Sequence, residues 1–172
     1  MKIGYGWDSH EFKSGIPLKI GGLEISHPKG LGGHSDGDVL LHAITDALLG
    51  AVAAPDIGTL FSPSDARWKG ADSAMFLAEA LRRVKAAGYR IVNLDSTLIL
   101  AAPKIGPHTA AIRKHISGLM GIPPACIGIK AKTPEGLNLD SAAMAQVVVL
   151  LEEIPKTATR KPRPRKSKKS TR

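Results

Sequence analysis

The sequence predicts a mixed α/β domain over residues 1–155, followed by a basic tail over 156–172. Three observations carry this. Short runs rich in Val, Ile and Leu alternate with longer stretches of helical periodicity. No segment recurs at the period of a solenoid repeat. A chain of 172 residues with 43% apolar side chains can bury one core of ordinary size, which argues against a multidomain machine.

The elements follow in order. Strands are expected over 2–8 and 18–25, each bounded by Gly, Pro or Asp signals. A helix is expected over 36–53, because Leu40, Ala43, Ile44, Ala47, Leu48 and Ala51 recur at helical spacing and Ser35 with Asp38 resembles a capping box. The second helix, 73–87, has Asp72 as N-cap and Gly88 as its stop, with Arg82, Arg83 and Lys85 near its negative end. A strand over 91–100 leads to a third helix over 107–120, closed by Gly121. Strands over 127–132 and 143–151 complete the domain.

The net charge of +9 invites a nucleic-acid function until its location is examined. Residues 156–172 hold nine basic side chains and no acid, while residues 1–155 balance 15 against 15. With Pro162, Pro164 and no aromatic group, the tail cannot bury enough apolar surface to offset its ordering entropy, and disorder is expected. It would bind polyanions weakly and without sequence preference. No run approaches the roughly 20 apolar residues of a spanning helix, and no targeting segment follows Met1, so a cytoplasmic protein is expected. The lone Cys126 excludes an internal disulfide.

Chemistry concentrates in two places. Asp8 and His10 stand two apart in a strand, so both side chains leave the same face and can converge on one cation. His42 follows in the first helix, where Asp38, His42 and Asp46 repeat at i, i+4 on a face expected to turn away from the apolar stripe. One carboxylate and two imidazoles with no fourth protein ligand suit a catalytic zinc, and Asp46 could orient the His42 ring. The same spacings also fit a chance strand motif and an exposed helix pair, so spacing alone leaves both open. His34 lies just before a helix N-terminus, where an anion such as phosphate is favoured. Segments 55–58, 101–104 and 130–135 add polar groups suited to a phosphorylated substrate. The glycines of 30–33 lack the ending of a nucleotide-binding loop. His27 and His115 are read as surface residues.

The ordered set Gly6-Trp7-Asp8-Ser9-His10, His34-Ser35-Asp36-Gly37-Asp38 with His42, Asp56-Ile57-Gly58, Leu60-Phe61, Lys69-Gly70-Ala71-Asp72-Ser73, Asn93-Leu94-Asp95, Ala102-Pro103-Lys104 and Lys130-Ala131 with Thr133 and Glu135 resembles the 2-C-methyl-D-erythritol 2,4-cyclodiphosphate synthases of non-mevalonate isoprenoid synthesis. The resemblance spans about residues 1–137. It implies a phosphorus–oxygen lyase that releases CMP from a cytidine diphosphate substrate. It implies a four- to five-stranded mixed sheet with helices on one face, assembled as a homotrimer with active sites between subunits.

By the same resemblance Asp8, His10 and His42 hold zinc, and Glu135 holds a second ion, magnesium or manganese. His34 and Thr133 stabilise the transition state. Ser35, Asp56, Ile57 and Gly58 hold the methylerythritol phosphate, with Phe61 and Asp65 nearby. The cytidine moiety rests on Ala102, Pro103 and Lys104 and on the Lys132-Thr133 turn. The chain departs from the family after Glu135, where it is shorter and lacks an arginine expected to meet phosphates near the trimer centre. Lys132 could replace that charge. Two alternatives remain at this stage: a metal-dependent phosphohydrolase or cyclase on the same scaffold with another nucleotide substrate, and an RNA-binding protein driven by its tail.

Overall fold

The computed structural model describes residues 1–137 and 140–155. The tail over 156–172, with its expected disorder, lies outside them. In chain order the elements are β1 (Lys2–Ser14), β2 (Leu18–Ile20), β3 (Leu23–Ile25), β4 (Lys29–Leu31), α1 (Val39–Ala51), α2 (Ile57–Leu60), α3 (Ser73–Ala86), β5 (Tyr89–Ile99), α4 (Thr109–Met120), β6 (Ile127–Lys132) and β7 (Ala142–Glu153). Five strands form one sheet in the order β4-β1-β7-β5-β6, in which only β5 and β6 run parallel. This is the mixed α/β domain that the pattern predicts.

Period-two burial shows which face is covered. Gly4 and Gly6 of β1, and Ala143, Ala145, Val147, Val149 and Leu151 of β7, are buried against helix α1. The alternate residues look the other way: Ile3 is 71% exposed, Tyr5 59%, Trp7 48% and Val148 46%. Helix α1 is the centre of the molecule. Its Leu40, Leu41, Ile44, Leu48 and Leu49 are fully buried, each contributing about 1.5–3 kcal/mol by leaving water.

Gly4 and Gly6 set how closely α1 lies on β1. A Cβ on Gly6 would stand 2.0 Å from the Ala43 carbonyl oxygen, and one on Gly4 would stand 1.8 Å from that of Ala47. Only glycine permits this approach. It brings the His42-bearing turn of α1 down onto the strand.

Three expectations on the fold are corrected. The first strand does not end at Asp8 but continues to Ser14, because β7 pairs with it from Lys2 through Glu11 and β4 pairs with it from Phe12 to Ser14. The expected strand over 18–25 is instead the hairpin β2–β3, which turns at Gly21 and Gly22 with φ of +63° and +81°. Asp38 is no outward-facing helix residue. It is the fully buried N-cap of α1, and its carboxylate accepts from the backbone N–H groups of Gly21 (2.9 Å), Gly22 (2.5 Å) and Leu41 (3.0 Å). The hairpin covers the helix N-terminus, where the Asp38 carboxylate takes the Leu41 N–H that an anion would otherwise use. The Asp72 cap of α3 and the left-handed Gly121 stop of α4 are as expected.

Candidate active site

Asp8 and His10 point from β1 toward α1, and His42, one turn into that helix, points back. The His42 Nδ1 lies 2.9 Å from Asp8 Oδ2 and 3.0 Å from His10 Nε2, and His10 Nε2 lies 2.9 Å from the same carboxylate oxygen. One oxygen and two ring nitrogens thus face a single point. Ligands on a tetrahedral zinc stand about 3.3 Å apart, so this triangle needs to open by only a few tenths of an ångström to hold one. Burial raises the Asp8 carboxyl pKa, but the adjoining His10 and His42 imidazoles outweigh it and hold the group at about 2. Burial opposes protonation of His10, whereas the Asp8 hydrogen bond and charge raise its pKa. A carboxylate kept ionised beside two imidazoles is the donor set of a divalent metal.

The triad forms one wall of a cleft of about 220 Å³ that His34, Ser35, Ile57, Gly58, Phe61, Pro63, Trp68 and Phe76 complete. His34 Nε2 lies 3.1 Å from the Asp65 carbonyl oxygen. The Asp65 carboxylate turns away to pair with Arg67 and does not line the cleft. Asp56 caps α2 by accepting from the Thr59 N–H at 2.7 Å; Ile57 and Gly58, not Asp56, form the surface of the cleft.

Asp46 does not orient the His42 ring. Its carboxylate accepts from the Ile57 N–H at 2.8 Å and so ties the 56–58 turn to the helix that carries His42. The His42 Nε2 faces two hydroxyls, Ser73 Oγ at 2.8 Å and Ser35 Oγ at 3.0 Å.

A second cleft, of about 470 Å³, lies at the far edge of the sheet. Leu100, Ala101, Pro103, Lys104, Ile105, Gly106, Pro107, Thr109, Ile129, Ala131, Lys132 and Thr133 line it. Pro103, Lys104, Lys132 and Thr133 are therefore together, while Ala102 and Glu135 stand outside the lining. The Thr133 hydroxyl donates to the Glu135 carboxylate. One row of the sheet runs Asp8–Ala145–Leu98–Ala131, so three strand spacings, about 14 Å, separate the two clefts within the chain. His34 and Thr133 accordingly belong to different clefts.

The sequence reading gave no role to Ser73, Trp68 or Phe76. The aromatic rings carried a signal nonetheless: the chain has only three Phe and two Trp, and three of these five stack around the first cleft. Phe61 lies 4.5 Å from Phe76 and 5.2 Å from Trp68, centroid to centroid.

The YgbB family model matches residues 1–152. The chain belongs to the YgbB family. A relative from Koribacter versatilis, named 2-C-methyl-D-erythritol 2,4-cyclodiphosphate synthase, is 64% identical over 89% of this chain and 99% of its own. The chloroplastic synthase of Arabidopsis thaliana is 50% identical over 88% of this chain and 67% of its own. Among solved structures, one of a 2-C-methyl-D-erythritol 2,4-cyclodiphosphate synthase superposes with a TM-score of 0.83 at 48% identity, covering 88% of this chain and all of that one. A CDP-bound form of such a synthase superposes equally well at 47% identity over the same shares. The YgbB match runs through both clefts, which accords with the resemblance the motifs carry. No helix among the described residues is long and apolar enough to cross a membrane.

Proposed function

We propose that this protein is a 2-C-methyl-D-erythritol 2,4-cyclodiphosphate synthase. It converts 4-diphosphocytidyl-2-C-methyl-D-erythritol 2-phosphate to the 2,4-cyclic diphosphate and CMP, a lyase reaction. The observation that carries this reading is the Asp8–His10–His42 triangle opening into a cleft with His34 and Ser35, in a chain of this family.

In the reaction an oxygen of the 2-phosphate attacks the β-phosphorus, the bond to the α-phosphate bridging oxygen breaks, and CMP leaves with that electron pair. Nucleophile and electrophile belong to one molecule, so the protein needs no nucleophile of its own and acts chiefly by alignment. Asp8, His10 and His42 would hold zinc and Glu135 magnesium or manganese; when bound, these ions neutralise charge on the reacting phosphates. Ser35, Ile57, Gly58 and Phe61 would seat the methylerythritol phosphate directly, while Asp56 and Asp65, whose carboxylates lie off the cleft, would act through the α2 cap and the His34 contact. The Ala102-Pro103-Lys104 and Lys132-Thr133 segments would seat the cytidine diphosphate. His34 and Thr133 would stabilise the charge that develops on the phosphate oxygens, Thr133 by turning its hydroxyl from Glu135 toward the substrate.

A cleft of about 220 Å³ is smaller than a typical site for a ligand of this size, and the nucleotide cleft lies at the other edge of the sheet. We infer that one active site joins the metal cleft of one subunit to the nucleotide cleft of the next, in a homotrimer. The uncovered apolar side chains of Ile3, Tyr5, Trp7 and Val148 supply a face for such packing. The domain so assembled spans 1–155, with the tail as an appendage and the cytoplasm as its compartment.

The test is incubation with the substrate, zinc and magnesium, followed by phosphorus NMR beside an Asp8→Ala control. Cyclic diphosphate and CMP from the wild type alone are expected. No product from folded, zinc-loaded protein would overturn the assignment and favour another nucleotide substrate.

A further inference from the structure

We propose that Ser73 is a positioning residue that fixes which nitrogen of His42 carries the proton, and so keeps the other free for a metal. The proposal rests on the reading of Asp8, His10 and His42 as metal ligands. His42 is pulled in two directions. On one side Asp8 Oδ2, 2.9 Å from Nδ1, favours a proton on Nδ1, which would block coordination. On the other side Nε2 meets Ser73 Oγ at 2.8 Å.

The polarity of that second contact is set by what lies behind it. Ser73 Oγ is 2.5 Å from Asp36 Oδ1, and Asp36 Oδ2 is 3.3 Å from the Lys19 ammonium. An ionised carboxylate only accepts, and a hydroxyl has one proton to give. Ser73 therefore donates to Asp36 and must accept from His42. The proton sits on Nε2, and the Nδ1 lone pair faces Asp8 and His10. The chain Lys19–Asp36–Ser73–His42 thus does what a carboxylate behind a metal-bound histidine does elsewhere, with a serine inserted.

Ser73 does not depend on His42 for its place. It opens α3, is fully buried, and follows a segment tied to the 34–36 loop by two backbone hydrogen bonds, Gly70 N–H to His34 oxygen at 2.8 Å and Asp36 N–H to Ala71 oxygen at 3.0 Å. A consequence reaches the substrate side. Ser35 Oγ shares the Nε2 proton at 3.0 Å, so it too can only accept there, and its own hydroxyl proton is free to turn into the cleft it lines, toward a phosphate oxygen.

The experiment compares wild type, Ser73→Ala and Asp36→Asn as full-length, metal-stripped proteins. Zinc affinity is read by competition with a chromophoric chelator, and the protonated nitrogen of His42 by nitrogen-15 NMR of the imidazole. Wild type should show the proton on Nε2. Ser73→Ala should show it on Nδ1 and bind zinc about 10- to 100-fold more weakly, with Asp36→Asn shifted the same way. A merely structural role would lower the melting temperature without moving the proton. Wild-type zinc affinity and an Nε2 proton in Ser73→Ala would overturn the proposal; if that variant does not fold, Asp36→Asn decides by the same two readouts. Failure of the wild type to bind zinc would instead overturn the metal reading, while its tautomer still tests the relay.

Discussion

Replacing Gly6 with alanine should damage the Asp8–His10–His42 cluster without touching any of its three side chains. The added Cβ would stand 2.0 Å from the Ala43 carbonyl oxygen and 2.6 Å from the Ala47 nitrogen, both backbone atoms of α1 that no rotamer change can move aside. To restore even 3.0 Å to the nearer atom, helix and strand must separate by about 1 Å. Ala43 adjoins His42, and Gly6 lies two residues from Asp8, so the separation opens the triangle where its edges now measure 2.9–3.0 Å. Overpacking of this kind costs about 1–3 kcal/mol, or roughly 2–10 °C of melting temperature at this chain length. A displacement of about 1 Å at reacting groups costs on the order of 100-fold in rate. Thermal unfolding measures the first effect and turnover followed by phosphorus NMR the second, with chelator competition reporting how far the triangle has opened. Gly6→Ala with unchanged melting temperature and zinc affinity would refute the view that the glycine sets the distance between α1 and the strand.

Other expectations follow from the same geometry. Asp38→Ala strands three N–H donors, two of them in buried hydrogen bonds, and should cost about 3–5 kcal/mol, read as a drop in urea midpoint; a loss under about 1 kcal/mol would show that the hairpin does not depend on that cap. Lys132→Ala removes a cation from the nucleotide cleft and should raise KM severalfold with kcat little changed; unaltered kinetics would exclude Lys132 from substrate binding. Co-refolded Asp8→Ala and Thr133→Ala chains, each inactive alone, should regain about a quarter of wild-type activity, because some mixed interfaces join two intact clefts. No recovery in verified mixed oligomers would place the whole site within one subunit.

What the sequence made legible was local. Asp8 and His10 share a face because a strand has period two, and the helix bearing His42 announces itself by its apolar repeat. The caps Asp72 and Gly121 act on neighbours a few residues away, so their meaning survives without tertiary context. Asp38 shows the limit: by periodicity it belongs to a polar face, and only the approach of the Gly21-Gly22 hairpin turns it into a buried cap. Asp46 has the right offset to brace His42, yet the Ile57 amide, eleven residues on, claims it. The role of Ser73 is set by α3 docking on the 34–36 loop, a contact across more than 30 residues that no spacing rule encodes. The placement of His34 and Thr133 in separate clefts follows from strand order, which depends on the most distant pairings of all.

That strand order also dictates when in the life of the molecule the centre can mature. The segment bearing Asp8 and His10 leaves the ribosome before the rest of the domain, but the strand that joins it to the rest of the sheet, β7, is the domain's last and slots between β1 and β5. A nascent chain that still lacks β7 has its two imidazoles and its carboxylate yet no rigid frame to hold them together. The three donor groups are thereby brought together only in the final act of folding, so a truncated or stalled product lacks the assembled Asp8–His10–His42 triangle.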